Sequence, residues 1–360
     1  MKAYKRIAVK IGSNVLTRAD GTLDITRMSA LVDQVAELRR RGIEVILVSS
    51  GAVASGRSEL HLSVRLGRVE ERQLFSAVGQ AKLINRYYEL FREYGIPVGQ
   101  VLTMKENFST RREYLNQRSC MEVMLANGVL PIVNENDTTS VTELMFTDND
   151  ELAGLVAAMT DVDALFILSN VDGIFTGNPS DKDSRLIKVV EPGKDLSDCI
   201  QAGTSGFGRG GMGTKSSIAR KVAEEGTEVV IANGKTPAVL LRIIDDPSFP
   251  CTRFIPGIAG VSGVKKWIAH SSGFAKGAVY LNHRAVVALT GDKAVSLLPV
   301  GVTKVEGDFE KEDIIRLLDE NGTEIGVGRA SCDSAKAREV MGRHDERPLV
   351  HYDYLFLEIK

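Results

Sequence analysis

Cysteine is scarce: Cys120, Cys199, Cys251 and Cys332 are the only four in 360 residues, with no CxxC pair and no histidine at zinc-ligand spacing. A disulfide framework and a structural zinc site are thereby excluded, and buried or half-buried thiols in a reducing compartment are expected. An excess of one charge is missing as well, since 45 Lys and Arg against 47 Asp and Glu leave a formal net charge of -2. Such a chain has no global field to draw in nucleic acid or an anionic membrane, although a local basic patch remains compatible with it. No apolar run approaches the roughly 20 residues that span a bilayer. Met1 to Arg6 leads into a run broken at Lys10, too brief for the apolar centre of a secretory signal, so a cytoplasmic protein without membrane association is expected. Histidine is sparse too: His61, His270, His283, His344 and His351 all fall outside the motifs below and read as surface or structural side chains. No internal repeat or low-complexity tract occurs. With 43% hydrophobic and 26% charged residues, the chain is otherwise an ordinary globular sequence long enough for two domains.

Glycine is where the sequence is rich. From Gly206 to Gly213, five of eight residues are glycine, bracketed by Ser205 and the pair Thr214-Lys215 and followed by a helical pattern from Ser216 to Gly226. Backbone N–H groups without Cβ shielding, next to a helix N-terminus, suit a phosphate, and Arg209 and Lys215 add mobile positive charge. Gly206-x-Gly208-x-x-Gly211 has the letters of a dinucleotide fingerprint but does not directly follow a strand, and Thr214 interrupts the Gly-Lys order of a Walker loop. A triphosphate cradle is the expectation; a surface loop is the bland alternative.

Short apolar runs alternate with helical periodicity before this loop. Ile7 to Ile11 reads as a buried strand, helical spacing links Met28, Leu31, Val32, Val35 and Leu38, and Ile43 to Val48 is a second strand, which makes a βαβ unit and a parallel sheet. Helices are expected over 75–94 and 113–125, and strands over 96–102, 129–133, 164–168 and 228–232, with a short helix over 237–244. Polar residues collect at the strands' carboxyl ends, where open α/β sheets bind ligands: Gly12-Ser13, Ser49-Ser50-Gly51, and Asn134-Glu135-Asn136-Asp137. Lys10 inside an apolar strand is either a snorkelling side chain on an edge strand or an ammonium delivered to that crevice. Asp148 and Asp150 flank Asn149 at the start of a helix. Capping accounts for one of them; the other could orient two lysines or coordinate a phosphate-bound magnesium. Asp172-Gly173 predicts a tight hairpin, suited to wall a nucleotide base. Beyond the breaker-rich 245–257, short β-rich runs, among them 277–281, 285–289, 305–309, 314–318 and 324–328, predict a small barrel or sandwich with a helix over 334–341.

In their order, Val9-Lys10-Ile11-Gly12-Ser13, Val48-Ser49-Ser50-Gly51-Ala52, Ile132 to Asp137, Asp148-Asn149-Asp150 and Gly208 to Lys215 resemble the amino acid kinase family, and within it the members that phosphorylate glutamate and carry a PUA (pseudouridine synthase and archaeosine transglycosylase) domain. The resemblance covers nearly the whole chain. It implies an α/β three-layer sandwich with a mainly parallel sheet over 1–256, a linker over 257–272 and a mainly-β PUA-like domain over 273–360. It implies transfer of a phosphoryl group from ATP, with Mg²⁺, to the side-chain carboxylate of L-glutamate, the first step of proline biosynthesis. By position, Lys10 and Lys215 would contact the phosphates and Asp150 would organise them as the third catalytic residue. Gly12, Ser13, Ser169, Asn170, Arg209, Gly210, Gly211, Met212, Gly213 and Thr214 would line ATP; Ser50, Gly51, Asn134, Asp137, Asp148 and Asn149 would hold the amino acid. No direct metal ligand is assigned. Proline as feedback inhibitor, a homo-oligomer (dimer or tetramer) and RNA at the PUA-like domain are further implications. The chain departs from the family at Ser169-Asn170, at Asn178-Pro179 and at Asn282-His283-Arg284-Ala285. The alternatives are an N-acetylglutamate or aspartate kinase, or an RNA-binding protein, though 275–355 shows no basic or aromatic-rich face.

Overall fold

Apolar runs too short to be helices, spaced by amphipathic stretches, favour strands buried on both faces with helices packed over them. The computed structural model, which describes residues 4–60, 66–108, 110–139, 149–179, 181, 183–194, 196, 211–257, 268, 274–291 and 295–357, has this construction. It divides into two compact units, residues 1–104 with 118–260, and residues 105–117 with 261–360.

In the first unit, β1 (Arg6–Ile11), β2 (Glu44–Ser49), β3 (Val98–Thr103), β4 (Leu130–Glu135), β5 (Ala164–Ser169), β6 (Val189–Val190), β7 (Glu228–Asn233) and β8 (Thr252–Phe254) form an 8-stranded sheet ordered β3-β4-β2-β1-β5-β7-β8-β6. All pairings are parallel except β7 with β8. The short antiparallel β8 lies in the breaker-rich segment, where the sequence suggests only a connection. Helices α1 (Ser13–Leu16) and α2 (Ile25–Arg40) join β1 to β2; α3 (Ala52–Arg57) and α4 (Arg68–Arg92) join β2 to β3. α5 (Arg111–Ala126) precedes β4, α6 (Asn149–Met159) precedes β5, α7 (Met212–Glu224) precedes β7, and α8 (Val239–Asp245) follows it.

The pleat decides which side chains meet which helices. Ile7, Val9 and Ile11 share one core cluster with Met28, Leu31 and Val35 of α2 and Tyr87 and Phe91 of α4. Alternation along the strand therefore turns Ala8 and Lys10 to the opposite face, and α6 packs against β1. From Leu152 to Met159 every residue of α6 is buried, as its unbroken apolar composition requires. The central position of β1 rules out the edge-strand account of Lys10.

The second unit holds a mixed five-stranded sheet, β10-β9-β11-β12-β13, from β9 (Gly277–Leu281), β10 (Val302–Gly307), β11 (Ile314–Leu318), β12 (Glu324–Ala330) and β13 (Val350–Leu357). α9 (His283–Thr290) and α10 (Ser334–Val340) accompany it. The run 285–289, expected as a strand, lies within α9. Asn282 caps that helix, its Oδ1 accepting from the Ala285 N–H at 2.8 Å, and the cap outweighs the local β pattern. Cys251 is buried and Cys332 half-buried, but Cys120 is exposed on α5, contrary to the expectation for all four thiols; Cys199 lies outside the described residues. Among the described residues no helix is long and apolar enough to cross a membrane.

Candidate active site

The parallel register brings the strands' carboxyl ends level. Ile11 pairs with Ser49 on one side and Leu168 on the other, so Gly12, Ser50 and Ser169 leave the sheet together. Gly12 donates its N–H to the Leu168 carbonyl at 3.1 Å. A Cβ at Gly12 would stand 3.0 Å from that oxygen and 3.8 Å from Lys10 Nζ, so glycine keeps the turn tight and the ammonium uncovered. Gly51, with φ of 108°, lies in the left-handed region that favours glycine and starts α3.

Lys10 points from this end of β1 at Asp150, in the first turn of α6, and the two form an ion pair. The other Asp150 oxygen is 2.9 Å from Lys215 Nζ in the first turn of α7. Asp150 is wholly buried, and the side chains of Lys10 and Lys215 are only 6% and 12% exposed. Burial by itself would raise the Asp150 carboxyl, but the two ammonium charges and their hydrogen bonds outweigh it and hold the group below the usual carboxylate range. Among the described residues, two cations around one anion leave a surplus of one positive charge, an arrangement suited to a phosphate.

The helix carrying Lys215 starts at Met212, earlier than the expected Ser216. Gly211 is its N-cap, and Met212, Gly213, Thr214 and Lys215 make its first turn, so their backbone N–H groups fall at the positive end of the helix dipole. Arg209, Gly210 and Asp148 lie outside the described residues. Ser13 is exposed as the first residue of α1. At the end of β5, Ser169 is buried beside an exposed Asn170, with Ser169 Oγ 3.4 Å from Asn170 Oδ1. Asp172-Gly173 does not form the tight hairpin expected. The antiparallel bridge is between Phe175 and Leu186. A Cβ at Gly173 would be 2.4 Å from Thr252 Oγ1, so this glycine serves a close approach to β8, where Thr252 Oγ1 accepts from the Ile174 N–H at 2.8 Å.

Beside the lysines lies a second polar group. Asn149 Nδ2 donates to Ser50 Oγ at 2.8 Å and to Asn134 Oδ1 at 3.1 Å, joining the ends of β2 and β4 to the start of α6. Ser49 Oγ and Tyr87 OH are 2.8 Å apart beneath it, and burial pushes the Tyr87 hydroxyl up to about 12, so it stays protonated. Asp137 is buried, its Oδ2 accepting from Ser76 Oγ at 2.9 Å and its Oδ1 paired with Arg72. Arg72, Ser76, Gln80 and Tyr87, all on α4, are not among the residues that the sequence motifs single out. Their only local signal is a helical repeat that also fits a solvated face. Among the described residues no group of three or more His, Cys, Asp and Glu is arranged to hold a metal ion.

The sequence model of the amino acid kinase family matches residues 5–233, and that of the PUA domain residues 277–352. The curated glutamate 5-kinase of Bacteroides thetaiotaomicron is 66% identical over 99% of this chain and 99% of its own, and that of Chlorobaculum tepidum 49% identical over 98% of each. Among solved structures, an isopentenyl phosphate kinase is similar with a TM-score of 0.50 and 18% identity, over 69% of this chain and 99% of its own. A carbamate kinase from Giardia lamblia bound to AMP-PNP has a TM-score of 0.50 and 17% identity, over 71% of this chain and 100% of its own. At these identities the two structures share a fold with the chain.

Proposed function

The chain belongs to the amino acid kinase family, and from that membership we propose that it transfers the γ-phosphoryl group of ATP to the side-chain carboxylate of L-glutamate, giving L-glutamyl 5-phosphate for proline biosynthesis. The observation that carries this is Asp150, wholly buried between Lys10 and Lys215 and one residue from an Asn149 that binds Ser50 and Asn134. A phosphoryl-transfer centre and an amino acid pocket would thus share the start of α6. The acceptor carboxylate is ionised at neutral pH, its ordinary pKa being about 4.3, so the step needs no general base. What the site must supply is in-line positioning and charge stabilisation. Lys10 and Lys215 would hold the transferring group's oxygens, Asp150 would fix both ammonium groups, and the first-turn N–H groups from Met212 to Thr214 would bind phosphate oxygens.

On the amino acid side, Ser50, Asn134 and Asn149 would bind the substrate's carboxylate end and Asp137 its α-ammonium. Mg²⁺ would arrive on the ATP phosphates and neutralise their charge. Both oxygens of Asp150 already face ammonium groups, and the described residues offer no other carboxylate cluster for direct coordination. We assign residues 1–256 to catalysis and 273–360 to the PUA-like domain. Proline inhibition, homo-oligomeric assembly and RNA binding rest on the family resemblance; proline titration of the rate, light scattering and a salt-dependent RNA-binding assay read them in turn.

Hydroxylamine trapping tests the reaction, since an acyl phosphate is captured as a hydroxamate. Hydroxamate formation should require both ATP and L-glutamate. Equal or better kcat/KM with N-acetylglutamate or aspartate, or no product from glutamate, would refute the assignment.

A further inference from the structure

Helix α4 carries Arg72, Ser76 and Gln80 at positions i, i+4 and i+8, one line along the helix surface. All three reach the segment that leaves β4. Arg72 donates to Glu135 Oε2 at 2.9 Å and pairs with Asp137, Ser76 donates to the second oxygen of Asp137 at 2.9 Å, and Gln80 Nε2 donates to the Glu135 carbonyl at 3.2 Å. Glu135 and Asp137 are 2% and 7% exposed, and they share this one guanidinium. Two buried carboxylates two residues apart repel each other and lose solvation, and a cation held between them offsets both costs. A guanidinium suits that place because its planar fork can serve two acceptors at once.

The helix that delivers the line is fixed against the amino acid pocket. A Cβ at Gly79 would stand 1.8 Å from the Ala52 carbonyl oxygen, and one at Gly56 1.9 Å from that of Phe75, so α3 and α4 touch backbone to backbone. α3 starts directly after Ser50-Gly51. Arg72 is thereby braced from the same turn that would hold the substrate's carboxylate end.

We propose that Arg72, with Ser76, is a positioning residue for the amino acid substrate: it fixes the Asp137 carboxylate that receives the α-ammonium, and so sets glutamate affinity without touching the phosphoryl centre. The proposal rests on the assignment of Asp137 to the α-ammonium. It also implies that a substrate whose amino group is acylated, and so carries no charge, gains nothing from the braced carboxylate.

Steady-state kinetics of Arg72→Met, Arg72→Lys, Ser76→Ala, Asp137→Asn and the double variant Arg72→Met/Asp137→Asn test this, with thermal melts to confirm folding. Arg72→Met should raise glutamate KM about 10- to 100-fold, around the lower end of the effect of truncating one partner of a fully buried charge pair because the Arg72 side chain is 26% exposed, with kcat and ATP KM within about threefold of wild type. Arg72→Lys, which keeps the charge but not the planar fork, should recover part of the loss. Ser76→Ala, which removes one buried hydrogen bond, should raise glutamate KM about fivefold and keeps the test open if Arg72→Met does not fold. In the Asp137→Asn background the Arg72→Met change should add less than about threefold, because the two act through one interaction. Unchanged glutamate KM in Arg72→Met, or in Ser76→Ala where that stands in, overturns the proposal if Asp137→Asn still raises KM. An unchanged KM in Asp137→Asn itself overturns the assignment on which the proposal rests. Full additivity in the double variant overturns the proposal alone.

Discussion

Replacing Asp150 by Asn keeps the size and shape of the side chain and removes only the charge between two ammonium groups. The carboxylate is wholly buried and both lysine side chains are nearly so, at 6% and 12% exposed. Removing one partner of such a cluster costs about 3–5 kcal/mol, and the residual solvent access of Lys215 favours the lower half of that range. For a unit of about 250 residues, each kcal/mol lowers Tm by about 2–4 °C, so a fall of about 6–15 °C is expected. The catalytic effect should differ in kind. Without the shared anchor the ammonium groups no longer hold one geometry, and kcat should fall about 10²- to 10³-fold. The local charge meanwhile rises from one surplus positive to two, so the KM for ATP should not increase. The pH dependence has a definite sign. The Asp150 carboxyl sits below its ordinary value in the folded chain, so the stability it contributes is complete above the unfolded value near 3.9 and is lost as pH falls through the lower folded value. The stability gap between wild type and Asp150→Asn should therefore be flat from about pH 5.5 to about pH 8 and should close only in strong acid. Urea titrations across that range, with initial-rate kinetics at neutral pH, read all three quantities. Wild-type Tm together with wild-type kcat would refute the reasoning, and so would a gap that closes as pH rises.

Three further changes probe other parts of the design. Lys10→Ala or Lys215→Ala should lower kcat by about two to four orders of magnitude with a smaller change in glutamate KM, because charge stabilisation counts most in the transition state; initial rates near wild type would exclude the assigned roles. Gly79→Ala forces a methyl group to within 1.8 Å of the Ala52 carbonyl oxygen and 2.5 Å of the Gly56 nitrogen, so the helices must part. Its cost should reach or exceed the upper end of the roughly 1–3 kcal/mol typical of overpacking, with a higher glutamate KM as Ser76 and Gln80 shift; unchanged urea midpoint and KM would count against it. A chain ending at Gly257 should keep ATP- and glutamate-dependent turnover per folded molecule but melt earlier, because residues 105–117 lose the rest of their compact unit, residues 261–360. A cooperatively folded, inactive truncation would mean that the C-terminal part completes the catalytic site.

Much of the sheet is visible in the sequence because β1, β2, β4, β5 and β7 are buried on both faces and therefore read as mostly apolar runs. Lys10 stands out in such a run, and Asp150 at the head of an apolar helix stands out for the same reason. Their meeting is not visible. It depends on pleat parity, which turns Lys10 away from Ile7, Val9 and Ile11, and on α6 covering that face. Asp172-Gly173 has the letters of a hairpin turn, but glycine is needed there because a Cβ at position 173 would stand 2.4 Å from Thr252 Oγ1, a constraint set by a residue far along the chain. The run 285–289 is apolar throughout and short like a buried strand, but Asn282 caps it as a helix. Only at Gly173 does the deciding partner lie outside the window that local pattern can read; the Asn282 cap stands directly before the run and is a local signal.

Arg72, Ser76 and Gln80 carry this furthest. Glu70-Glu71-Arg72-Gln73 reads as the charged start of a solvated helix, and the apolar face of α4 that includes Tyr87 and Phe91 accounts for its helicity unaided. Yet Ser76 is wholly buried and Gln80 6% exposed. A polar side chain in such a place needs a partner, and the partners are the Asp137 carboxylate for Ser76 and the Glu135 backbone carbonyl for Gln80, both at the end of β4. The two carboxylates there were legible as a polar cluster at a strand end, but a cluster that is also buried requires compensation from elsewhere in the fold. Glu135 and Asp137 held out of water require a cation within reach, and Arg72 on the helix packed beside them supplies it.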